Sequence, residues 1–407
     1  MVQAPPPRTR DVRTPLTVAR PIPRVNNPIS GPVFHTCKLS SLYPNRDENL
    51  SFEVRRPPVF SDPHPAEELK PDDRCAFLFA GTGAAGPPDL PALARTGPGA
   101  ARAVADVLDA VQEGLPRTRW PSMRSILLDD SAGYGAAAAR TPGVAQLAGY
   151  AASVAVDRAL RAGGVQPAYA VGQSFGEIAA LVAAGAFTIA DGARMAVSLV
   201  GVLARRGRGG GMGLLETGED GPDGARAVIG AAAEPQVVVA SVNAPSATVV
   251  AGPDGPLERV LDTARGRGVR AVRLAVPYLS HHPAMAGADD EWYSMIRRYP
   301  QRRLELPVHS PVRGRAYHDG DDLHRALADC IVKPVRLPAA LRAVHAAGAS
   351  VFAEAGAGNA LCRCARLTVP GARTLTPLRE PPGGRPGRDR PGGGDGGRGG
   401  KADSSAR

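Results

Sequence analysis

One sharp passage from a strand into a helix constrains the fold more than any other feature of the sequence. The segment "AYAVGQSFGEIAALVAAG", residues 168–185, starts with a short apolar run, passes through Gly172-Gln173-Ser174-Phe175-Gly176 and ends in an alanine-rich stretch. A serine between two glycines at such a turn fits the G-x-S-x-G nucleophile elbow. The N–H groups that begin the helix favour negative charge near that serine. The pattern predicts Ser174 as a nucleophile; the alternative is a serine that only caps the helix.

The segments on either side alternate between strand and helix. "RCAFLFAGTG" (74–83) predicts a buried strand with a glycine-rich turn, 143–164 predicts a helix, and 175–206 predicts a helix that breaks near Gly185 and restarts at Asp191. "GASVFAEAG" (348–356) predicts one further strand. This alternation is typical of an α/β fold, in which helices cover a parallel sheet.

The pattern changes after the glycines at 209–211. From there the segments follow the order β-α-β-β-α-β, which is typical of a small ferredoxin-like subdomain. We therefore predict an insert at 209–278 within a larger domain made of 71–208 and 279–380. Residues 1–70 are rich in Pro and Arg and predict an extended arm. Residues 381–407 contain too little apolar surface to offset the entropy of ordering, so we predict a disordered tail.

Composition argues against several classes of partner. The net charge is +10, but no basic helix is interleaved with aromatic residues, which make up only 4% of the chain, so we expect no nucleic-acid binding. Apolar runs are shorter than the ~18 residues of a membrane span. The N-terminus lacks the apolar core of a secretory signal, and the five cysteines are scattered, so we expect reduced thiols, a cytoplasmic protein, no metal and no cofactor.

A serine nucleophile needs a base, and the histidines offer candidates. His281 and His282, in "VPYLSHHPAM", follow the last predicted strand of the insert and precede a proline turn. They therefore lie on a connection, where functional groups tend to occur. The other six histidines lie in linkers or polar segments and are interpreted as surface residues.

These segments together resemble the malonyl-CoA:acyl-carrier-protein transacylases and the acyltransferase domains of polyketide synthases. "VGQSFGEIAALVAAGAFTIADGARMA" is similar to the family's "GHSxGE…A…AG…DA" region, and "FLFAGTG" to its "FPGQG". "VNAPSATVVAG", "YLSHHPAM", "KPVRL" and "GASVFAEAGAGNAL" follow in family order, over about residues 75–385. The resemblance implies an α/β-hydrolase-like parallel-sheet domain with an inserted ferredoxin-like subdomain.

Carried over position by position, the resemblance implies that Ser174 is acylated. It implies that His281, rather than His282, is the catalytic base, because Pro283 and Met285 keep their offsets from it. It also implies an oxyanion hole made by the backbone N–H groups of Phe175 and Thr82. The catalytic histidine would be oriented by a backbone carbonyl around Gly356 to Asn359. The implied substrate-binding residues are Gln146, Leu199, Tyr278, Ser280 and Asn359.

The chain departs from the family pattern at three positions. Gln173 occupies the position of a family histidine, and Thr82 occupies the position of a family glutamine. Leu199, 25 residues after Ser174, stands where the family has the arginine that pairs with the free carboxylate of malonyl groups. We therefore expect an acyl group without a free carboxylate, although Arg205 could in principle reach back. The "YLSH" segment is closer to the family's branched-substrate "YASH" than to its "HAFH".

The resemblance implies a monomeric, free-standing acyltransferase of polyketide or fatty-acid biosynthesis, with an acyl-carrier protein as its partner. An acyl-CoA or an acyl-carrier-protein thioester would be the donor. Three alternatives stay open on the sequence: a hydrolase that clears acyl groups from a carrier protein, ordinary malonyl transfer, and a docking protein with a decayed site.

Overall fold

The computed structural model of the chain describes residues 73–82, 87–116, 120–129 and 133–378. The predicted arm (1–70), the predicted tail (381–407) and Cys37 lie outside these residues. The other four cysteines are free thiols. None of the helices in the described ranges is long and apolar enough to cross a membrane.

The described residues form eleven strands. These are β1 (Cys75–Phe79), β2 (Pro167–Gly172), β3 (Gly210–Glu216), β4 (Val238–Ala244), β5 (Ala247–Pro253), β6 (Arg270–Arg273), β7 (Val308–Ser310), β8 (Arg315–Ala316), β9 (Val335–Arg336), β10 (Val351–Ala355) and β11 (Arg373–Leu375).

The same residues form twelve α-helices. These are α1 (Leu90–Ala94), α2 (Pro98–Glu113), α3 (Gly133–Arg140), α4 (Val144–Ala162), α5 (Gly176–Ala183), α6 (Ile189–Arg206), α7 (Gly221–Ala231), α8 (Asp254–Gly266), α9 (Ala288–Ile296), α10 (Leu323–Asp329), α11 (Leu337–Ala346) and α12 (Ala360–Thr368).

Six strands form the larger sheet, in the order β11-β10-β1-β2-β7-β8. All neighbours are parallel except β7 and β8. The packing of strand β1 explains why its sequence is apolar throughout. Phe77 and Phe79 pack into one hydrophobic cluster, whereas Ala76 and Leu78 pack into another, so both faces of the strand are buried. Burial on both faces is the usual state of a parallel sheet with helices on each side.

The smaller sheet has the order β6-β3-β5-β4-β9. Its first four strands are antiparallel, and with α7 and α8 they follow the chain order β-α-β-β-α-β. Both helices pack on the sheet: Val228 of α7 and Leu261 of α8 are buried in one hydrophobic cluster with Leu215 and Val250 of the strands. The fifth strand, β9, comes from outside the predicted insert and pairs in parallel with β4. The predicted fold class is confirmed, and the predicted domain boundaries at 209 and 278 stay a prediction.

The break predicted after the elbow helix is present. Helix α5 ends at Ala183, and Gly185 adopts the left-handed conformation, with φ of +81°, that favours glycine. Thr188 caps α6, because its Oγ1 accepts a hydrogen bond of 3.0 Å from the Asp191 N–H. The stretch after the elbow is therefore two separate helices, the second of which, α6, carries Leu199.

Candidate active site

The turn between β2 and α5 has the geometry of a nucleophile elbow. Ser174 has a φ of +55°, in the left-handed region that few non-glycine residues adopt. A Cβ at Gly172 would overlap the Glu177 Cα, and a Cβ at Gly176 would overlap the Phe79 carbonyl oxygen. Both glycines are therefore required by the close approach of backbone segments, and the turn presents Ser174 at the carboxyl end of β2.

Ser174 meets His281 across this turn. The Ser174 Oγ lies 2.6 Å from the His281 Nε2, and the other ring nitrogen, Nδ1, lies 2.8 Å from the Lys333 carbonyl oxygen. A carbonyl can only accept, so Nδ1 carries the proton and Nε2 is left to accept from the serine hydroxyl. The His281 backbone N–H also donates to the Ile331 carbonyl, over 2.7 Å, which fixes the loop that carries the ring.

Burial keeps the His281 imidazole neutral. It lowers the pKa of His281 to about 4, and the hydrogen bond to the Lys333 carbonyl only partly opposes this effect. A neutral imidazole whose Nε2 faces a serine hydroxyl is ready to take its proton.

The carbonyl that orients His281 differs from the expected one. The expectation of a carbonyl between Gly356 and Asn359 is wrong, because the Nδ1 partner is the Lys333 carbonyl. Asn359 lies half-buried before α12 and is not among the residues that line the cavity beside Ser174. Lys333 belongs to the turn between α10 and β9. Strand β9 pairs with β4, and this pairing brings the turn beside His281.

His282 has a different environment, although it is also buried. Its Nδ1 accepts a 3.0 Å hydrogen bond from the Ala284 N–H, and its Nε2 lies 3.0 Å from the Gln236 carbonyl. It thereby caps the short 3₁₀ turn Pro283–Met285. Both ring nitrogens have backbone partners, so His282 has no nitrogen available to Ser174.

A cavity of about 140 Å³ adjoins Ser174 and His281. Of the residues implied by the resemblance, it is lined by Thr82, Phe175, Leu199, Tyr278 and Ser280. Gln146 does not line it but lies beside the Tyr278 hydroxyl, which is buried and makes no hydrogen bond of good geometry within the described ranges. Most of the wall is apolar, and its larger side chains include Ile178, Leu199, Leu203, Trp292, Leu327 and Ile331.

No charged side chain is among the described residues that line this cavity. Leu199 is 5% exposed and faces it from α6. Arg205 and Arg206, further along that helix, both pair with Glu291 at the surface, over 2.6 and 2.8 Å. The Arg205 side chain is 57% exposed in this arrangement.

Two backbone N–H groups beside Ser174 are available to a ligand. Thr82 follows β1 and Phe175 follows the serine, and both residues line the cavity. Neither N–H has an acceptor among the hydrogen bonds of the described residues. Free donors at this place suit an oxyanion that forms next to the serine.

The sequence did not predict three features of the site. Gln173, in the place of the family histidine, donates from Nε2 to the Asn243 Oδ1 over 2.8 Å, which ties the elbow to the smaller sheet. Trp292 forms part of the cavity wall. The Lys333 carbonyl orients His281. The role of the Lys333 carbonyl could not be predicted, because a backbone group acts whatever its side chain is. Asn243, by contrast, lies within "VNAPSATVVAG", one of the segments on which the family resemblance rests.

Glu177 supports the elbow from behind. Its carboxylate is fully buried and accepts hydrogen bonds from the Ser310 hydroxyl, over 2.8 Å, and from the Tyr317 hydroxyl. Burial raises the pKa of Glu177 to about 7, and the two hydroxyl donors limit the rise. The first turn of α5 is therefore anchored to β7 and to the residue after β8.

The chain is similar to known proteins over much of its length. The acyl transferase domain family matches residues 100–374. The spectinabilin polyketide synthase system protein NorA' of Streptomyces orinoci is 34% identical over 227 residues, which cover 54% of this chain but only 6% of that protein. The chain thus corresponds to a small part of that longer relative.

Two solved structures are similar over most of the chain. The malonyl-CoA:acyl carrier protein transacylase of Xanthomonas oryzae pv. oryzae has 26% identity and a TM-score of 0.64, covering 74% of this chain and 94% of that one. The acyltransferase domain from module 8 of the salinomycin polyketide synthase has 30% identity and a TM-score of 0.65, covering 74% and 70%.

Proposed function

The chain belongs to the acyl transferase domain family, and we propose that it moves an acyl group from a thioester to an acyl-carrier protein through an acyl-enzyme on Ser174. The observation that carries this proposal is the 2.6 Å contact between the Ser174 Oγ and the His281 Nε2 beside a cavity with two free N–H donors. By analogy with its relatives, the reaction would serve polyketide or fatty-acid assembly.

The chemistry follows from these groups. His281 takes the Ser174 proton at Nε2 as Oγ attacks the thioester carbonyl, and the Phe175 and Thr82 N–H groups stabilise the oxyanion. The carbon–sulfur bond then breaks, and His281 gives its proton to the departing thiolate. In the second half, His281 takes the proton of the carrier-protein thiol, which attacks the acyl-enzyme. When the ester bond breaks, the proton returns to Ser174.

We further propose that the acyl group has no free carboxylate. A carboxylate in this cavity would lie against Leu199 and other apolar side chains without a cation to pair with. Burying an unpaired charge costs several kcal/mol, which corresponds to a preference of 10² or more. The pairing of Arg205 with Glu291 supports this, because it holds that guanidinium at the surface, and Arg205 does not line the cavity.

A panel of acyl-thioesters followed by intact-protein mass spectrometry tests the acyl-enzyme. Acetyl, propionyl and butyryl groups should each add their mass to Ser174, and an acyl-carrier protein in its thiol form should remove the added mass. Removal at the same rate by water alone would favour the hydrolase. Absence of any added mass would contradict the proposal.

The charge preference is a separate prediction. With malonyl and propionyl thioesters at equal concentration, propionyl should load at least about 10²-fold faster, because no cation offsets the buried carboxylate. Leu199→Arg should shift the preference towards malonyl, and Leu199→Met, which changes shape without adding charge, is the matched control. A clear preference of the unchanged protein for malonyl would return it to ordinary malonyl transfer, the reaction named for its Xanthomonas relative.

A further inference from the structure

One part of the cavity wall is a large side chain fixed by a buried hydrogen bond. Trp292, on α9, is 1% exposed and is the largest of the fully buried side chains in the described part of the chain. Its Nε1 donates a 3.0 Å hydrogen bond to the Ser198 hydroxyl, which in turn donates to the Met195 carbonyl over 2.9 Å. The indole is therefore fixed to α6 at the residue next to Leu199.

This anchoring gives the wall a defined position. An aliphatic side chain can change rotamer to admit a longer ligand, but an indole tied by its only donor gives up a buried hydrogen bond if it rotates. Leu199 and Leu203 of α6 lie on the same cavity as Trp292, so the two helices enclose it together. They therefore restrict the size of an acyl group that is attached to Ser174 in the same cavity.

The volume indicates how long that ligand is. An apolar cavity of ~150 Å³ accommodates a benzene molecule, that is, about six carbon atoms. The cavity beside Ser174 has about 140 Å³ and an apolar wall. We propose, on the basis of the function proposed above, that Trp292 is a specificity-determining residue that limits the acyl group to a neutral chain of about four to six carbons.

The chain-length profile of Ser174 acylation tests this assignment. Unbranched acyl-pantetheine thioesters from acetyl to decanoyl are compared by the rate at which they add mass to the protein. The unchanged protein should show its highest rates at four to six carbons, with roughly a tenfold loss for each further carbon, the lower end of what one methylene is worth in a pocket. A profile without a limit up to decanoyl would overturn the inference.

Trp292→Ala and Trp292→Leu should move this limit to longer chains. Octanoyl loading should rise at least about tenfold relative to butyryl loading. Met295→Ala is the matched control, because Met295 lies on the same helix, is 36% exposed and does not line the cavity. A folded variant that keeps the profile of the unchanged protein would overturn the role of Trp292 and leave the acyl-enzyme proposal intact.

A second measurement leaves Trp292 in place. The chain has two tryptophans, so Trp120→Phe makes Trp292 the single indole. Loading of a butyryl or hexanoyl group on Ser174 should change the Trp292 emission, and loading of an acetyl group should change it much less. An emission that is the same for all three acyl groups would contradict contact between the indole and the acyl group. If no acyl group loads at all, the acyl-enzyme proposal is contradicted, and the inference about Trp292 is contradicted with it.

Discussion

The two nitrogens of His281 have different roles, and each role depends on a different neighbour. The Lys333 carbonyl holds the proton on Nδ1, so Nε2 faces the Ser174 hydroxyl as an acceptor. The partner of Nδ1 is thus a backbone carbonyl and not an acidic side chain. Burial, which lowers the pKa of His281, keeps the ring in the neutral form that the first step needs.

Substitutions at these residues should separate the catalytic pair from its neighbour. Ser174→Ala should abolish acyl-enzyme formation, and His281→Ala should slow loading by about 10²–10⁴-fold, the usual contribution of a general base. His282→Ala removes a cap and should cost about 1 kcal/mol of stability with little effect on the rate. Loading rates and urea unfolding of the three variants check this. A larger rate loss from His282→Ala would show that the register of the "SHHPAM" segment is wrong.

At the scale of elements, the sequence predicted the elbow and its flanking strand and helix, because glycines and apolar periodicity are local signals. It also predicted the break between α5 and α6. It could not predict that β9 joins the smaller sheet, since two residues with no alternating pattern carry no strand signal. The Lys333 carbonyl next to β9 was missed for the same reason, because its role depends on a pairing that is distant in sequence.

The glycines of the elbow give a prediction about folding. Gly176→Ala places a Cβ onto the Phe79 carbonyl, where the backbone of β1 cannot move without disturbing the sheet. We expect a loss of at least about 3 kcal/mol in the free energy of unfolding. Gly149→Ala is the matched control, because a Cβ there meets no atom within 4 Å, and the change should stabilise α4 by up to about 1 kcal/mol. Urea unfolding measures both, and equal stabilities would contradict the packing argument.

The cavity lies where the two sheets meet. Ser174 follows β2 of the larger sheet, whereas Met212 and Val249 belong to β3 and β5 of the smaller one, and all three line the cavity. The hydrogen bond between Gln173 and Asn243 joins the sheets at the same place. The order of strand and helix segments predicted a parallel sheet and a ferredoxin-like insert, but not which residues of one would face the other, because that depends on how the sheets pack.

Two buried groups near the elbow, Glu177 and His281, should give the stability of the protein opposing responses to pH. The pKa of Glu177, about 7, is above the ordinary 4.5, so its contribution to stability is complete below pH 4.5 and is lost as the pH rises through 7. The pKa of His281, about 4, is below the ordinary 6.5, so its contribution is complete above pH 6.5 and is lost as the pH falls through 4. Each contribution is worth about 3 kcal/mol, at 1.36 kcal/mol per pKa unit.

Between pH 4.5 and 6.5 the contribution of Glu177 falls while that of His281 rises, so their sum is nearly constant in the unchanged protein. Glu177→Gln should therefore reveal the pH dependence that comes from His281. The variant lacks the titrating carboxyl, so its free energy of unfolding should rise with pH across this window more steeply than that of the unchanged protein, by up to about 3 kcal/mol. Urea unfolding at half-unit steps from pH 4 to 7.5 gives the difference, with Glu219→Gln, an exposed site, as the matched control. A difference that stays constant with pH would mean that Glu177 titrates alike in the folded and unfolded chains, and its burial behind the elbow would then have no electrostatic consequence.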